Sequence, residues 1–380
     1  MQRLLVTVLL SLSISGFVAS PAFAQNKDTG TGTIMSVPVT SIYTHDNAET
    51  LYRQAKYAQA EDMCKKQIAA LEKSKGDKNP AIAEPLIDLA TVYMRLAKFS
   101  EAKAAIDRAD ALLDKTKPEQ ALLVGRLGIN KGWRLYLASE ASSAAKICSD
   151  ARDLLAANNA KDTKDYAELT NNLGLMDEEL ADKEDKPELI KKARTLLLEG
   201  YQLRKKLTGD ESPETAESLN NMGMHLLFNP QNAQDLDLAM STLASALEMA
   251  KKVYGDNHPE TAVSRATMAL ALMLADNTEE AEKELKLAMP VTEKALGRNH
   301  PDMAYELTTL GRIRVDQQRF SDAEKTFAEV VSINETVYGK TSPQVVPSLE
   351  MMKKYYESRG DTGKAREMEK RIDGIKGKDI

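Results

Sequence analysis

The sequence is poor in most of what chemistry uses. Its 380 residues hold two cysteines, four histidines and one tryptophan, and aromatics make up only 5%. Nothing in it matches a Gly-rich phosphate loop, a G-x-S-x-G turn, an H-E-x-x-H helix or a paired-Cys motif, so enzymatic activity has no residue set to stand on. His45, His225, His258 and His300 are isolated from one another and from second ligands, which argues against a metal site. Acidic pairs such as Glu178-Glu179 and Glu279-Glu280 read as solvated helix faces. No basic run offsets the formal net charge of −6, which argues against nucleic acid or an anionic membrane as the main partner. No catalytic, cofactor-binding or metal residue is assigned.

Long apolar runs are lacking too, except at the start. Residues 4–18 are apolar, follow Arg3, and precede Ala22-Phe23-Ala24, which has the small-x-small form of a signal-peptidase site. Residues 1–24 are therefore expected to be a signal peptide, with a mature chain from Gln25 that is periplasmic or secreted and keeps no membrane span. Cleavage would remove one charge, that of Arg3, and leave a net charge of −7. Residues 25–40, rich in Gly, Thr and Ser, read as a flexible linker. Cys64 and Cys148 read as small buried residues, too far apart to pair.

What the chain has in quantity is Ala, Leu, Lys and Glu, which favour helix, and a repeated punctuation. "YGDNHPETA" (254–262), "LGRNHPDMA" (296–304) and "YGKTSPQVV" (338–346) place Pro259, Pro301 and Pro343 at intervals of 42. Each stretch reads as a Gly ending one helix at positive φ and a Pro opening the next, which makes His258 and His300 turn residues. Aligned backwards, the anchors become Pro213, Lys164, Pro118 and Pro80. Counted from them, a Leu or Met followed by a small residue recurs at Leu89-Ala90, Leu127-Gly128, Leu173-Gly174, Met222-Gly223, Met268-Ala269 and Leu310-Gly311. A second series runs Ala60, Ala102, Ala145, Ala193, Ala239, Ala281, Ala323 and Ala365, several of them three residues after an aromatic, as in "FSEA" (99–102). The two series predict helical hairpins with both packing faces specified. Insertions are expected near 139–143, 182–187 and 229–232. Lys353 stands where a small residue is usual, so the last unit reads as a polar cap.

The [Leu/Met]-[Gly/Ala] and [Tyr/Phe]-x-x-Ala motifs with the linking "YGDNHPETA" resemble the tetratricopeptide repeat (TPR) family, and in length the repeats of kinesin light chain. The resemblance covers roughly residues 41–372, leaving 373–380 as a tail. It implies an all-α solenoid of about eight helix-turn-helix repeats in a right-handed superhelix, each unit contacting mainly its neighbours. It further implies a non-catalytic, monomeric module that binds a protein or peptide partner in its concave groove. A structural solenoid that stacks on itself or braces an envelope assembly is the other reading.

The family's inward offsets fall on Arg126, Trp133, Asn171, Asn172, Asn220, Asn221, Met224, Phe228, Tyr305 and Arg312, the expected groove residues, and also on Glu84, Asp88, Arg95, Leu122, Glu168 and Glu217. Asn172 in "TNNLG" and Asn221 in "LNNMG" share an offset at which family members often hold a peptide backbone, although the same residues could instead cap or bridge helices. Trp133 either lines the groove or packs between helices. The inward set holds at least as many acids as bases, so the expected guest is neutral, apolar or mildly basic.

Overall fold

The punctuation read from the sequence becomes real helix ends. The computed structural model describes residues 46–184, 186–232 and 234–377; the expected signal peptide (1–24) and linker (25–40) lie outside them. The described residues form sixteen α-helices packed as successive antiparallel pairs: α1 (Asp46–Arg53) with α2 (Tyr57–Lys75), α3 (Ala83–Arg95) with α4 (Phe99–Leu112), α5 (Ala121–Leu137) with α6 (Ala141–Ala157), and α7 (Lys164–Lys183) with α8 (Glu188–Thr208). α9 (Pro213–Phe228) pairs with α10 (Gln234–Tyr254), α11 (Pro259–Leu274) with α12 (Thr278–Leu296), α13 (Pro301–Asp316) with α14 (Phe320–Tyr338), and α15 (Val346–Ser358) with α16 (Thr362–Lys376). No helix among the described residues is long and apolar enough to cross a membrane. The last helix runs to Lys376 and buries Ile375, so the first residues of the expected tail are helical.

Gly255, Gly297 and Gly339 close α10, α12 and α14 at φ between 87° and 90°, a conformation that side chains rarely adopt. Inside the units the hairpin turns on one left-handed residue: Ala55, Ala97, Ser139, Asp276, Gln318 or Gly360. Ala55, Ala97 and Ser139 are separated by 42 residues each, so the third unit has no insertion at 139–143. The true equivalent of Ala102 is Ala144, fully buried, whose N–H donates to Glu140 as that of Ala102 donates to Lys98. Ala145 was one residue out. What changed in this unit is its start: α5 has 17 residues against 13 in α3, because Pro118 comes a helical turn early. The register of α5 counted from Pro118 therefore slips, and Gly132, not Gly128, is the counterpart of Ala90.

The corrected register explains the packing. The small residue of each first helix meets the side chain four places after the buried Ala of the second helix. A Cβ on Gly132 would come within 2.2 Å of Cys148 Sγ, and one on Gly311 within 2.2 Å of Phe327 Cε1. Cys64 and Cys148 thus hold the same place in the first and third units, four residues after Ala60 and Ala144. Both are buried free thiols, and burial pushes Cys64 up to about 12. In the last unit the pair at this place is Lys353 and Glu369, bonded at 2.7 Å on an exposed face, in keeping with a solvated end.

Neighbour contacts are not the whole architecture, contrary to expectation. Phe99 stacks on Tyr338 with ring centroids 5.5 Å apart, and Tyr254 and Leu296 pack against the first hydrophobic cluster. Units five apart touch, so the coil returns onto itself after five units.

Candidate binding interior

The return is made where α-helices have unmet needs. The last carbonyls of a helix have no partner inside it, and the first N–H groups have none either. His258 sits at the N-cap of α11, where Nδ1 accepts from Glu260 N at 3.1 Å, while Nε2 donates to the carbonyl of Arg53, the last residue of α1, at 2.9 Å. One unit on, His300 accepts from Asp302 N at 3.2 Å and donates to the carbonyl of Arg95, the last residue of α3, at 2.9 Å. In the last unit Gln344 reaches the carbonyl of Leu137, which ends α5, at 3.5 Å. The histidine pattern requires the neutral imidazole with its proton on Nε2. Burial is the main cause holding His258 down to about 4, and its ring stacks on Tyr254 at 4.5 Å.

Beside these clamps lies a buried ion cluster. Arg95, fully buried, reaches Asp302 at 2.7 Å and Glu260 at 3.2 Å. Burial alone would raise Asp302, but the Arg95 guanidinium holds its carboxyl well below the usual range. Glu260, more distant and facing the Asp302 charge, is raised by burial to about 7. Around the same interior Arg53 bonds Glu214 at 3.0 Å, Arg126 bridges Asp165 at 3.3 Å and Glu84 at 3.4 Å, and Arg204 lies 3.4 Å from Glu217 and donates to Ser218. Arg95, Arg126, Glu84 and Glu217 are among the residues expected to face inward, and each is paired inside the protein rather than left open for a guest.

The ten expected groove residues divide by exposure. Arg126, Trp133, Asn171, Asn172, Asn220 and Tyr305 are buried. Asn221, Met224, Phe228 and Arg312 are partly exposed. Trp133 is 3% exposed and meets Tyr136 edge-on at 5.5 Å within the first hydrophobic cluster, so it packs between helices. Asn171 has its backbone against Gly200 of α8, about 3.1 Å from where a Cβ would stand; it faces its own unit's second helix. Met224 and Phe228, one turn apart on α9, pack on the second cluster and keep part of their surface free. Leu274, at the matching end of α11, is 39% exposed. A surface depression of about 590 Å³ lies elsewhere, on α10 and the loop before α9, lined by Glu211, Ser245, Met249 and Lys252 among others; it is open and rimmed by charged side chains. The inter-turn clamps escaped the sequence reading. Their one trace is the use of His at two helix starts where Ser or Thr serves at others.

The tetratricopeptide repeat family model matches residues 39–115, 231–294 and 265–336, on both sides of the irregular middle units. The chain is a tetratricopeptide-repeat protein. Among solved structures this TPR protein resembles a Rap protein complexed with Competence and Sporulation Factor, at 13% identity and a TM-score of 0.58, covering 88% of this chain and 96% of that one. It also resembles the APC/C hetero-tetramer Cut9-Hcn1, at 16% identity and a TM-score of 0.51, covering 82% of this chain and 49% of that one. Nearly identical TPR-like repeats assigned to a kinesin light chain of Podosopora anserina align over 55% of this chain and 96% of theirs, at 20% identity and a TM-score of 0.41. The first two likenesses speak to the fold alone. No curated protein matches the TPR chain in sequence.

Proposed function

We propose that this TPR protein is a non-catalytic interaction module, exported by its N-terminal segment, that holds a peptide or a segment of a partner protein on the inner face of its coil. The observation that carries the reading is the set Met224, Phe228 and Leu274 on the first helices α9 and α11, apolar side chains that keep part of their surface open. Apolar side chains on the helix that also carries polar, adaptable Asn221 suit an extended segment with apolar anchors. The likeness to a Rap protein bound to Competence and Sporulation Factor supports the class of partner. Affinity capture with the tagged full chain in its own cells, compared with a Met224→Glu/Phe228→Glu variant of unchanged circular dichroism, tests it. The variant should lose the captured partner; a partner retained by the variant overturns this set as the site.

A second reading has its own observation. Leu198, Leu238 and Leu287 on the second helices α8, α10 and α12 are 47%, 48% and 53% exposed, and apolar patches of this kind suit self-association. Molar mass that grows with concentration, and falls in Leu198→Glu/Leu238→Glu, would favour the assembling solenoid over the monomeric binder.

A further inference from the structure

Glu168 and Asn172 stand one helical turn apart on α7, hence on one face, and both are completely buried. Both carboxylate oxygens of Glu168 and both amide atoms of Asn172 lack a hydrogen-bond partner among the described residues. Each surrounding acid has a cation on one oxygen, Asp165 from Arg126, Glu214 from Arg53 and Glu217 from Arg204, although Asp165 Oδ1 and Glu217 Oε2 also lack a partner among the described residues. Arg204, the cation that acts on Glu168, spends its terminal nitrogens on Ser218 and Glu217. Thr170, on the same helix, satisfies itself on the Tyr166 carbonyl. A buried amide without partners is costly, and a buried unpaired carboxylate more so. Two such residues on one face of one turn leave four buried polar atoms of α7 without a partner among the described residues, beside the equally unpartnered amide of Asn171.

We propose that Glu168 and Asn172 form an internal anchor for a basic side chain of the bound segment, with Glu168 accepting from a Lys ammonium or Arg guanidinium and Asn172 pairing with the adjoining peptide group. The chemistry selects this guest. An ionised carboxylate only accepts, so its partner must donate, whereas a carboxamide both donates and accepts, as a peptide group requires. Burial pushes the Glu168 carboxyl well above the usual range, with Arg204 opposing; a bound cation favours its ionised form, so binding releases a proton and tightens as pH rises. Both side chains are sealed from solvent, so admission of the guest requires the coil to open locally.

This inference rests on the peptide-binding reading, and one experiment separates the two. Four pools of blocked seven-residue peptides, with randomised flanks and a central Lys, Arg, Ala or Glu, are offered to the purified full chain and quantified by mass spectrometry. The Lys and Arg pools should be retained at least ~10-fold over the Ala and Glu pools, about the effect of one charge-assisted hydrogen bond. That preference should grow with pH. Glu168→Gln should abolish both the preference and its pH dependence without lowering the melting temperature, and Asn172→Leu should weaken all four pools. Equal retention of Lys and Ala pools by the native chain, or a preference that survives Glu168→Gln, overturns the anchor and leaves peptide binding standing. Retention of no pool overturns both.

Discussion

Four helices of the same class, α7, α9, α11 and α13, open in two different ways. Thr163 and Ser212 cap α7 and α9 with hydroxyls that accept from Tyr166 N and Thr215 N. His258 and His300 cap α11 and α13 through Nδ1 in the same manner. The hydroxyls place their own protons locally, Thr163 on the Ala160 carbonyl and Ser212 on the Thr215 hydroxyl. The imidazoles place theirs on carbonyls 205 residues away. The local need is identical, and the difference is reach: a rigid ring with an acceptor on one edge and a donor on the other joins two turns of the coil while it caps a helix. That comparison teaches that a residue that looks like turn filler in one unit is a long-range fastener in the next.

The comparison breaks most severely at the centre of the clamp. Arg95→Met should leave Asp302 and Glu260 buried without their cation and lower unfolding free energy by ~3–5 kcal/mol, measured by urea denaturation. Adding Glu260→Gln and Asp302→Asn should recover much of the loss. A loss under ~1 kcal/mol in Arg95→Met would mean that the turns do not close in solution.

Acid should act on the same clamp. The folded state holds His258 at about 4, below its ordinary value near 6.5, so its contribution is fully present above about 6.5 and is lost as pH falls toward 4, up to ~3 kcal/mol at about 1.4 kcal/mol per pH unit. On the other side, Glu260 and Glu306 are raised by burial to about 7 and about 8, so their contributions are present below the ordinary Glu value and fade as pH rises through 7 to 8. Stability should therefore peak in the mildly acidic range. His258→Asn should flatten the acid limb and Glu306→Gln the alkaline one, as read by melting temperature across pH.

A gentler change sharpens the distinction between cap and clamp. Asn caps helices well but cannot span to the Arg53 or Arg95 carbonyl, so His258→Asn and His300→Asn should each cost ~1 kcal/mol, and together should expand the coil in small-angle scattering. Ser212→Asn, the same chemistry at a helix start without the long-range bond, should stay within about 0.5 kcal/mol of wild type. Smallest of all, Lys353→Ala removes an exposed pair with Glu369 and should cost ~0.5 kcal/mol or less; its sharper readout is concentration-dependent association through the uncapped end.

Much of this was legible because the helical hairpin is a local object written many times. Gly255, Pro259 and their counterparts fix helix ends through backbone sterics that need no distant partner, and the small residues facing the buried Ala series fix the pairing. The third unit was misread by a turn for an equally physical reason: Pro118 moved with the start of α5 while the turn at Ser139 did not, and counting from one end cannot show which end stayed in phase. Trp133 was half legible, since its size announced burial without saying against what. The closure of the coil was not legible at all. It depends on the small rotation between successive units accumulated over five of them, and a few degrees per unit would have carried Arg95 past Asp302.

The clamps also impose an order in time. Hairpins whose contacts lie within a few dozen residues form early, because little chain entropy is lost in closing short loops. The bonds from His258 and His300 to Arg53 and Arg95 close loops of about two hundred residues, and they exist only once five units have stacked with correct pitch. Unfolding meets the same hierarchy in reverse: the coil gapes at its seam before any hairpin melts. The seam therefore reports on the geometry of every unit it encloses, and an error of packing anywhere between Arg53 and His258 is felt there first.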